Sequence, residues 1–365
     1  MSEWQTFCLK DLGKIVGGAT PPTNNPKNYG NKIAWITPKD LSTLQGRYIK
    51  KGSRSISRLG FKSCSCVLLP KHAILFSSRA PIGYVAIAEK RLCTNQGFKS
   101  IIPNKKIYFE FLYYLLKYHK DNISNIGGGT TFKEVSGTTL GLFQVKIPPT
   151  YYEQQKIART LSVLDQKIEN NHKINELLHN FAHKVYEYYF KYKPKNAKLE
   201  QIIIENPKSS IMVKNAQKTQ DKYPFFTSGD NTLSYPKAII DGRNCFLNTG
   251  GNAGIKFYVG KASYSTDTWC IGANEFSDYL YLLLSSIKTH INQSFFQGTS
   301  LKHLQKNLLK KYPIYMPSAH EIKKFNQIIM PLLTLISINT RTSKKLEQIR
   351  DFLLPLLLKQ QVKPQ

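Results

Sequence analysis

Gly129-Thr130-Thr131-Phe132-Lys133 and Gly298-Thr299-Ser300-Leu301-Lys302 are one turn written twice, 169 residues apart. Pro148 recurs as Pro317 at the same offset, and Leu112-Tyr113-Tyr114-Leu115-Leu116 recurs as Leu280-Tyr281-Leu282-Leu283-Leu284 at 168. Self-similarity at a fixed period marks a duplicated structural unit. A duplicated unit can grip one extended partner at two places, with a spacing set by protein geometry.

Working outward, residues 1–150 read as a first mixed domain. Short β-rich runs at 32–37, 66–69, 73–76 and 84–88 are broken by Gly and Pro, and one amphipathic helix is expected at 109–118. Residues 193–318 repeat the plan, with strands at 244–249, 254–259 and 268–271 and a helix at 279–287. Long helices are expected at 151–192 and 319–365. In the first, Ile157, Leu161, Leu164, Ile168, Asn171, Asn175, Leu178, Ala182, Val185 and Tyr189 step by four and three without a break. The second runs through Ile322, Phe325, Ile329, Leu332, Ile336, Asn339, Ser343, Leu346, Arg350, Leu353 and Leu357. Such spacing is a coiled-coil seam. Asn171 matches Asn339 and Asn175 matches Ser343, both at offset 168, so polar positions fall mid-seam where they can fix register. Two matched seams in one chain are best satisfied by each other, as an antiparallel pair. Pro331 and Pro355 are expected to kink or shorten the second helix. The fold class is therefore α+β: two similar domains joined by two long antiparallel coiled-coil helices, with a pseudo-two-fold internal repeat.

The chain of 365 residues carries 52 Lys plus Arg against 23 Asp plus Glu, a net charge of +29. That excess is scattered among 21 Tyr, 19 Phe and 3 Trp, which suits a folded basic surface facing a polyanion such as nucleic acid. The six cysteines form no Cys-x-x-Cys pair and read as reduced, mostly buried thiols of a cytoplasmic protein. The start lacks a signal pattern, and no apolar stretch is long enough to span a bilayer, so no membrane partner is expected.

No Gly-x-Gly-x-x-Gly, phosphate loop, His-Glu-x-x-His or Gly-x-Ser-x-Gly occurs, and no metal site is suggested. Ile147-Pro148-Pro149-Thr150 lacks the polar first residue of an amino-methyltransferase Asn/Asp-Pro-Pro-[Phe/Tyr] motif. Asp165 and Glu169 share a helix face and read as solvated charges. Tyr29, Trp35 and Phe98 read as packing residues rather than base-stacking ones.

Gly17-Gly18-Ala19-Thr20-Pro21-Pro22-Thr23, Tyr29 to Leu41 (with Trp35-Ile36-Thr37-Pro38-Lys39-Asp40), Ile74 to Ala88 and Cys93 to Lys99 follow in order. Together with the Gly-Thr-Thr-Phe-Lys turn and the helix opening Glu153-Gln154-Gln155-Lys156-Ile157-Ala158, they resemble the specificity subunit of type I restriction-modification systems. In the second half, Asn248 to Gly254 stands where Ser77 to Gly83 stood. Tyr264-Ser265-Thr266-Asp267-Thr268 resembles a variant of such domains, and Tyr223 to Gly229 takes the place of the Trp35 block.

The resemblance implies a non-catalytic DNA-recognition subunit whose two target-recognition domains each read half of a bipartite, asymmetric site. It implies helices that set the spacer and dock two methyltransferase subunits. Restriction/motor subunits would complete the assembly, and S-adenosylmethionine would be bound by the methyltransferases and not by this chain. Candidate double-stranded DNA contacts are Arg79, Lys99, Thr130, Lys133, Thr299 and Lys302; candidate register residues are Asn171, Asn175, Asn339 and Ser343. Arg79 can reach a phosphate or guanine edge, or cap the local fold. The Gly-Thr-[Thr/Ser] turns can contact phosphate through hydroxyls, amides and Lys, or cap a helix. The alternatives are a stand-alone methyltransferase or nuclease with an unfamiliar motif, and a basic coiled-coil adaptor.

Overall fold

The computed structural model describes residues 3–79, 81–129, 133–216 and 222–364. Two compact units result: residues 1–169 with 349–365, and residues 170–348. Each therefore contains a globular head and a stretch of both long helices.

In the first unit a five-stranded sheet runs in the order Gly13–Gly17, Lys99–Pro103, Ile74–Phe76, Val85–Ala88, Tyr48–Ile49. A three-stranded sheet holds Arg54–Ile56, Tyr29–Ile36 and Cys93–Thr94, the last two parallel. In the second unit a four-stranded sheet runs Ile204–Glu205, Thr268–Gly272, Arg243–Asn248, Ile255–Val259, beside a three-stranded sheet of Leu233–Tyr235, Tyr223–Phe226 and Ser263–Tyr264. Here too the last two strands are parallel.

The duplication holds residue by residue in the strand registers. Phe7 faces Val145 and Cys8 faces Gln144; Ala197 faces Ile314 and Lys198 faces Pro313. Ile74 lies between Ile87 and Ile101, as Cys245 lies between Phe257 and Ile271. Ile36 pairs with Thr94 as Phe226 pairs with Tyr264, so the Tyr223 block does fill the place of the Trp35 block. The offset drops from 190 at Ile36/Phe226 to 171 at Ile74/Cys245 because the first head carries extra residues there. They fall on either side of Arg54–Ile56, whose counterpart is Leu233–Tyr235, and include Tyr48–Ile49 and the helix Arg58–Lys62.

Each head is built around a helix apolar on every side, the pattern of a fully enclosed helix. Residues 111–116 of Phe109–Asn125 are all buried, as are 277–284 of Ser277–Ser286. The first of these runs further than the sequence pattern suggested. The expected strand at 66–69 is reduced to one bridge, Leu69 to Leu92, because Pro70 has no N–H to extend the ladder.

The central helix spans Tyr151–Tyr186 and closes in a π-turn at Glu187–Lys191. At that end Tyr186 and Phe190 are the buried positions, while the expected seam residues Val185 and Tyr189 are only partly covered. A π-turn carries one extra residue, which rotates the inward face. The C-terminal helix runs unbroken from Ala319 to Leu358, so neither Pro331 nor Pro355 ends it. Each proline removes one backbone bond, whereas burial of Ile329 and Leu333, and of Leu354 and Leu357, holds the helix on either side.

Asp165 and Glu169 are not the solvated charges the helix pattern suggested. Asp165 is 4% exposed, accepts from Tyr114 Oη at 2.5 Å and pairs with Arg350 Nη1 at 2.6 Å. Glu169 accepts from Arg47 Nε at 3.1 Å, while Arg47 Nη1 reaches Glu110 at 3.0 Å. Burial opposes the charge on Arg47, yet the Glu169 bond and the surrounding negative field keep its pKa above the ordinary value. The second head repeats the device. Arg243 donates to both oxygens of Asp278, which lies 168 residues after Glu110, and to Thr334 Oγ1 at 2.9 Å on the C-terminal helix. Burial pushes the Asp278 carboxyl above its usual pKa in spite of the arginine.

Removing one partner of such a pair leaves a buried charge, a loss of about 3–5 kcal/mol, whereas replacing both with apolar groups is close to neutral. Arg243→Met should therefore lower the denaturation midpoint of the full chain sharply, and Arg243→Met/Asp278→Leu should restore most of it. A double variant no more stable than the single one would contradict this reading of the pair.

Candidate nucleic-acid interface

The residues flanking the two repeated turns pair in the same way. In the first head Gly128 and Glu134 exchange backbone bonds of 3.0 and 2.9 Å; in the second, Gln297 pairs with His303 at offset 169. Gly129 and Gly298 both have positive φ, +120° and +140°. At Gly298 a Cβ would also fall 2.3 Å from the Leu301 carbonyl oxygen, so glycine is required twice over. Each turn docks on its neighbouring loop by one equivalent bond: Val135 N donates to Ser78 O at 3.0 Å, and Leu304 N donates to Thr249 O at 3.0 Å. Gly251 N adds a bond to Lys302 O at 2.9 Å.

The candidate contacts separate into two groups. Lys133, Thr299 and Lys302 are exposed at the turns. Lys99 and Arg79 are drawn instead to Glu134, with N···O distances of 3.1 and 3.6 Å, so this carboxylate shields the first head's cations. His303 stands in the matching position of the second head, which leaves Lys302 without that acidic neighbour. Thr130 lies outside the described residues. Thr299 starts no helix; the next one, Lys306–Lys310, begins beyond it.

The motif residues Tyr29, Trp35 and Phe98 hold loops, as packing residues should. Trp35 is 4% exposed and donates Nε1–H to Ala19 O at 3.0 Å, while Tyr29 Oη donates to Pro21 O at 3.0 Å. Phe98 is fully buried. Gly18 packs so tightly on Thr94 and Asn95 that a Cβ would sit 2.1 Å from the Asn95 carbonyl oxygen. In the second head Lys256 does comparable work from inside. Its ammonium donates to the carbonyls of Thr227 (2.7 Å) and Gly229 (2.5 Å), and burial lowers its pKa.

The four candidate register residues meet in two cross-helix pairs, each joining a residue to the repeat equivalent of the other's partner. Asn171 Nδ2 donates to Ser343 Oγ at 3.1 Å, and Asn339 Nδ2 donates to Asn175 Oδ1 at 2.9 Å. The repeat maps one bond onto the other, since Asn171 corresponds to Asn339 and Ser343 to Asn175. Chain direction reverses across them, which makes this stretch an antiparallel pair with a polar centre.

Sequence reading missed Arg47, Arg243, Lys256 and Glu134. Only the matched acids Glu110 and Asp278, 168 residues apart, pointed to the first two. Among the described residues no cluster of His, Cys, Asp or Glu is arranged to hold a metal, and no helix is long and apolar enough to cross a membrane.

Each unit thus presents an α+β head beside a stretch of the long helices. The type I restriction modification DNA specificity domain matches residues 1–180 and again 195–348. The chain is 33% identical to the type I restriction enzyme MjaIX specificity subunit of Methanocaldococcus jannaschii, over 98% of this chain and 93% of that one. It is 30% identical to the HindI specificity subunit of Haemophilus influenzae, over 46% of this chain and 37% of that one. The crystal structure of the type I restriction-modification S subunit from M. genitalium superimposes with a TM-score of 0.66 at 17% identity, covering 98% of this chain and 96% of that one. The chain belongs to the family of type I restriction-modification specificity subunits, the non-catalytic DNA-recognition components of their complexes.

Proposed function

We propose that each head reads one half of a bipartite, asymmetric DNA site and that the paired helices set the gap between the halves while docking two methyltransferase subunits. The observation that carries this reading is a duplication whose scaffold is held and whose presented loops have diverged. The strand registers repeat, yet Ser77-Ser78-Arg79 corresponds to Asn248-Thr249-Gly250 and Glu134 to His303. Two different heads on one scaffold suit an asymmetric target. Lys133, Lys302 and Thr299 are suited to phosphate contact, which positions the protein, while neighbouring loops read base edges. Thr130 shares the motif and is assigned the same task.

S-adenosylmethionine would be held by the methyltransferase subunits, and restriction/motor subunits would complete the complex in the cytoplasm. A stand-alone methyltransferase would need an amine-binding motif, and 147–150 does not supply one. The test is transfer of label from S-adenosylmethionine to duplex DNA. The purified chain alone should transfer none and should direct transfer to one sequence when its methyltransferase is added. Transfer by the chain alone would overturn the assignment.

The polar centre of the helix pair should matter for spacing rather than for half-site choice. A buried Asn fixes coiled-coil register at some loss of stability. Replacing Asn171 and Asn339 together by Leu should raise the thermal midpoint by a few degrees, the shift expected for about 1 kcal/mol in a protein of this size. Methylation mapping should then show additional spacer lengths between unchanged half-sites. A single unchanged spacer would remove the register role from these residues.

A further inference from the structure

The two heads differ sharply in one connection. In the first head the strand Tyr29–Ile36 reaches its antiparallel partner Arg54–Ile56 through residues 37–53, which include the helix Pro38–Ser42 and Tyr48–Ile49. In the second head Tyr223–Phe226 reaches Leu233–Tyr235 through residues 227–232 alone. Both connections leave equivalent strand ends, since Ile36 pairs with Thr94 as Phe226 pairs with Tyr264. The short connection lies beside the repeated turn of the candidate interface. Ser228 Oγ accepts from Thr249 N at 3.0 Å, and Thr249 O accepts from Leu304 N at 3.0 Å.

Each connection is gathered by a charged side chain, and the two charges are opposite. In the first head the Asp40 carboxylate accepts from Thr37 N at 2.8 Å and from Ser53 N at 2.7 Å, which closes both ends of the long segment. In the second head the charge comes from outside the segment. Lys256 Nζ donates to Thr227 O at 2.7 Å, to Gly229 O at 2.5 Å and to Asn248 Oδ1 at 3.3 Å. One ammonium thus ties the short connection to the loop that begins at Asn248.

The scaffold does not need a lysine at that position. Lys256 pairs with Phe246 where Ala86 pairs with Leu75, and the first head folds around its fully buried alanine. Taking an ammonium out of water is unfavourable unless its three donors find acceptors. Here all three go to the two loops. Beyond those bonds Asp230, Asn231 and Thr232 are exposed, and Asp, Asn and Thr are side chains that bond base edges. A carboxylate is repelled by phosphate, so Asp230 suits the amino group of a base. We propose that Lys256 is a positioning residue for the second half-site, holding residues 227–232 in the conformation that reads its bases. The inference rests on the DNA-recognition reading; it adds which segment of the second head carries specificity and what sets that segment's shape.

The test uses Lys256→Met in the full chain, assembled with its methyltransferase. Methionine keeps an unbranched, flexible stem and removes the charge with its donors. Methyl transfer is measured on the target duplex and on duplexes with one base pair changed in either half. Discrimination is the ratio of the two kcat/KM values, and an intact site penalises a wrong pair by roughly 5- to 150-fold. The variant should lose about fivefold or more of that discrimination at one or more pairs of one half, with the other half unchanged. A purely structural residue would not move these ratios, because a smaller folded fraction lowers transfer on every duplex in proportion.

Unchanged discrimination in both halves would overturn the proposal, and so would an equal loss in both. If methionine prevents folding, Lys256→Gln, which keeps an N–H donor without the charge, is measured in the same way and should relax the same single half. A chain that folds with neither substitution would make Lys256 a residue of the scaffold alone, also against the proposal. Failure of the underlying reading is separate: the wild-type complex would then fail to discriminate in one or both halves before any substitution is made.

Discussion

An arginine taken out of water must keep its carboxylate, and that constraint ties each head to the helix it packs on. Arg47 is held by Glu110 of the head and Glu169 of the central helix; Arg243 is held by Asp278 of the head and Thr334 of the C-terminal helix. An apolar contact can slide with little loss. A buried guanidinium with two or more directed bonds cannot, because any shift strands a charge. The pairs contribute little as net stability. What they supply is a head that does not swivel on its support, which a protein measuring distance along DNA requires.

Polar groups serve a second constraint in the seam. A uniformly apolar stripe of leucines and isoleucines would pair in several registers of similar energy. Asn171 bonds Ser343 and Asn339 bonds Asn175 across the pair, and polar groups in the middle of such a seam favour one register over others. The repeat carries one bond into the other, so the duplication is written into the seam as well as into the heads.

Much of this was legible in the chain because duplication leaves its trace in residues that backbone geometry cannot vary. Gly129 and Gly298 share a positive φ, and a side chain there would strain the turn; that is why the motif survived when the loops around it did not. The seams were readable from three-four spacing, and Asn171, Asn175, Asn339 and Ser343 from their place in it. The heads' long-range pairings were harder. Arg47 gave no periodic signal, and its partners lie 63 and 122 residues away. Asp165 and Glu169 looked like surface charges because i, i+4 acids on a helix usually are; only the packed head reveals that both are enclosed. Pro331 and Pro355 looked like breaks because local propensity ignores the packing that carries a helix through them. Glu134 followed directly after the repeated motif, yet its hold on Lys99 and Arg79 depends on a fold that brings residues 35 and 55 positions apart together.

The central claim is that two different heads carried on the long helices read two different half-sites at a fixed gap. Single-molecule methylome sequencing of a host carrying this chain and its methyltransferase tests it most directly. The account predicts methylated adenines in two unlike short sequences separated by a constant run of unspecified bases. A single contiguous motif, two identical halves, or a gap of variable length would contradict it.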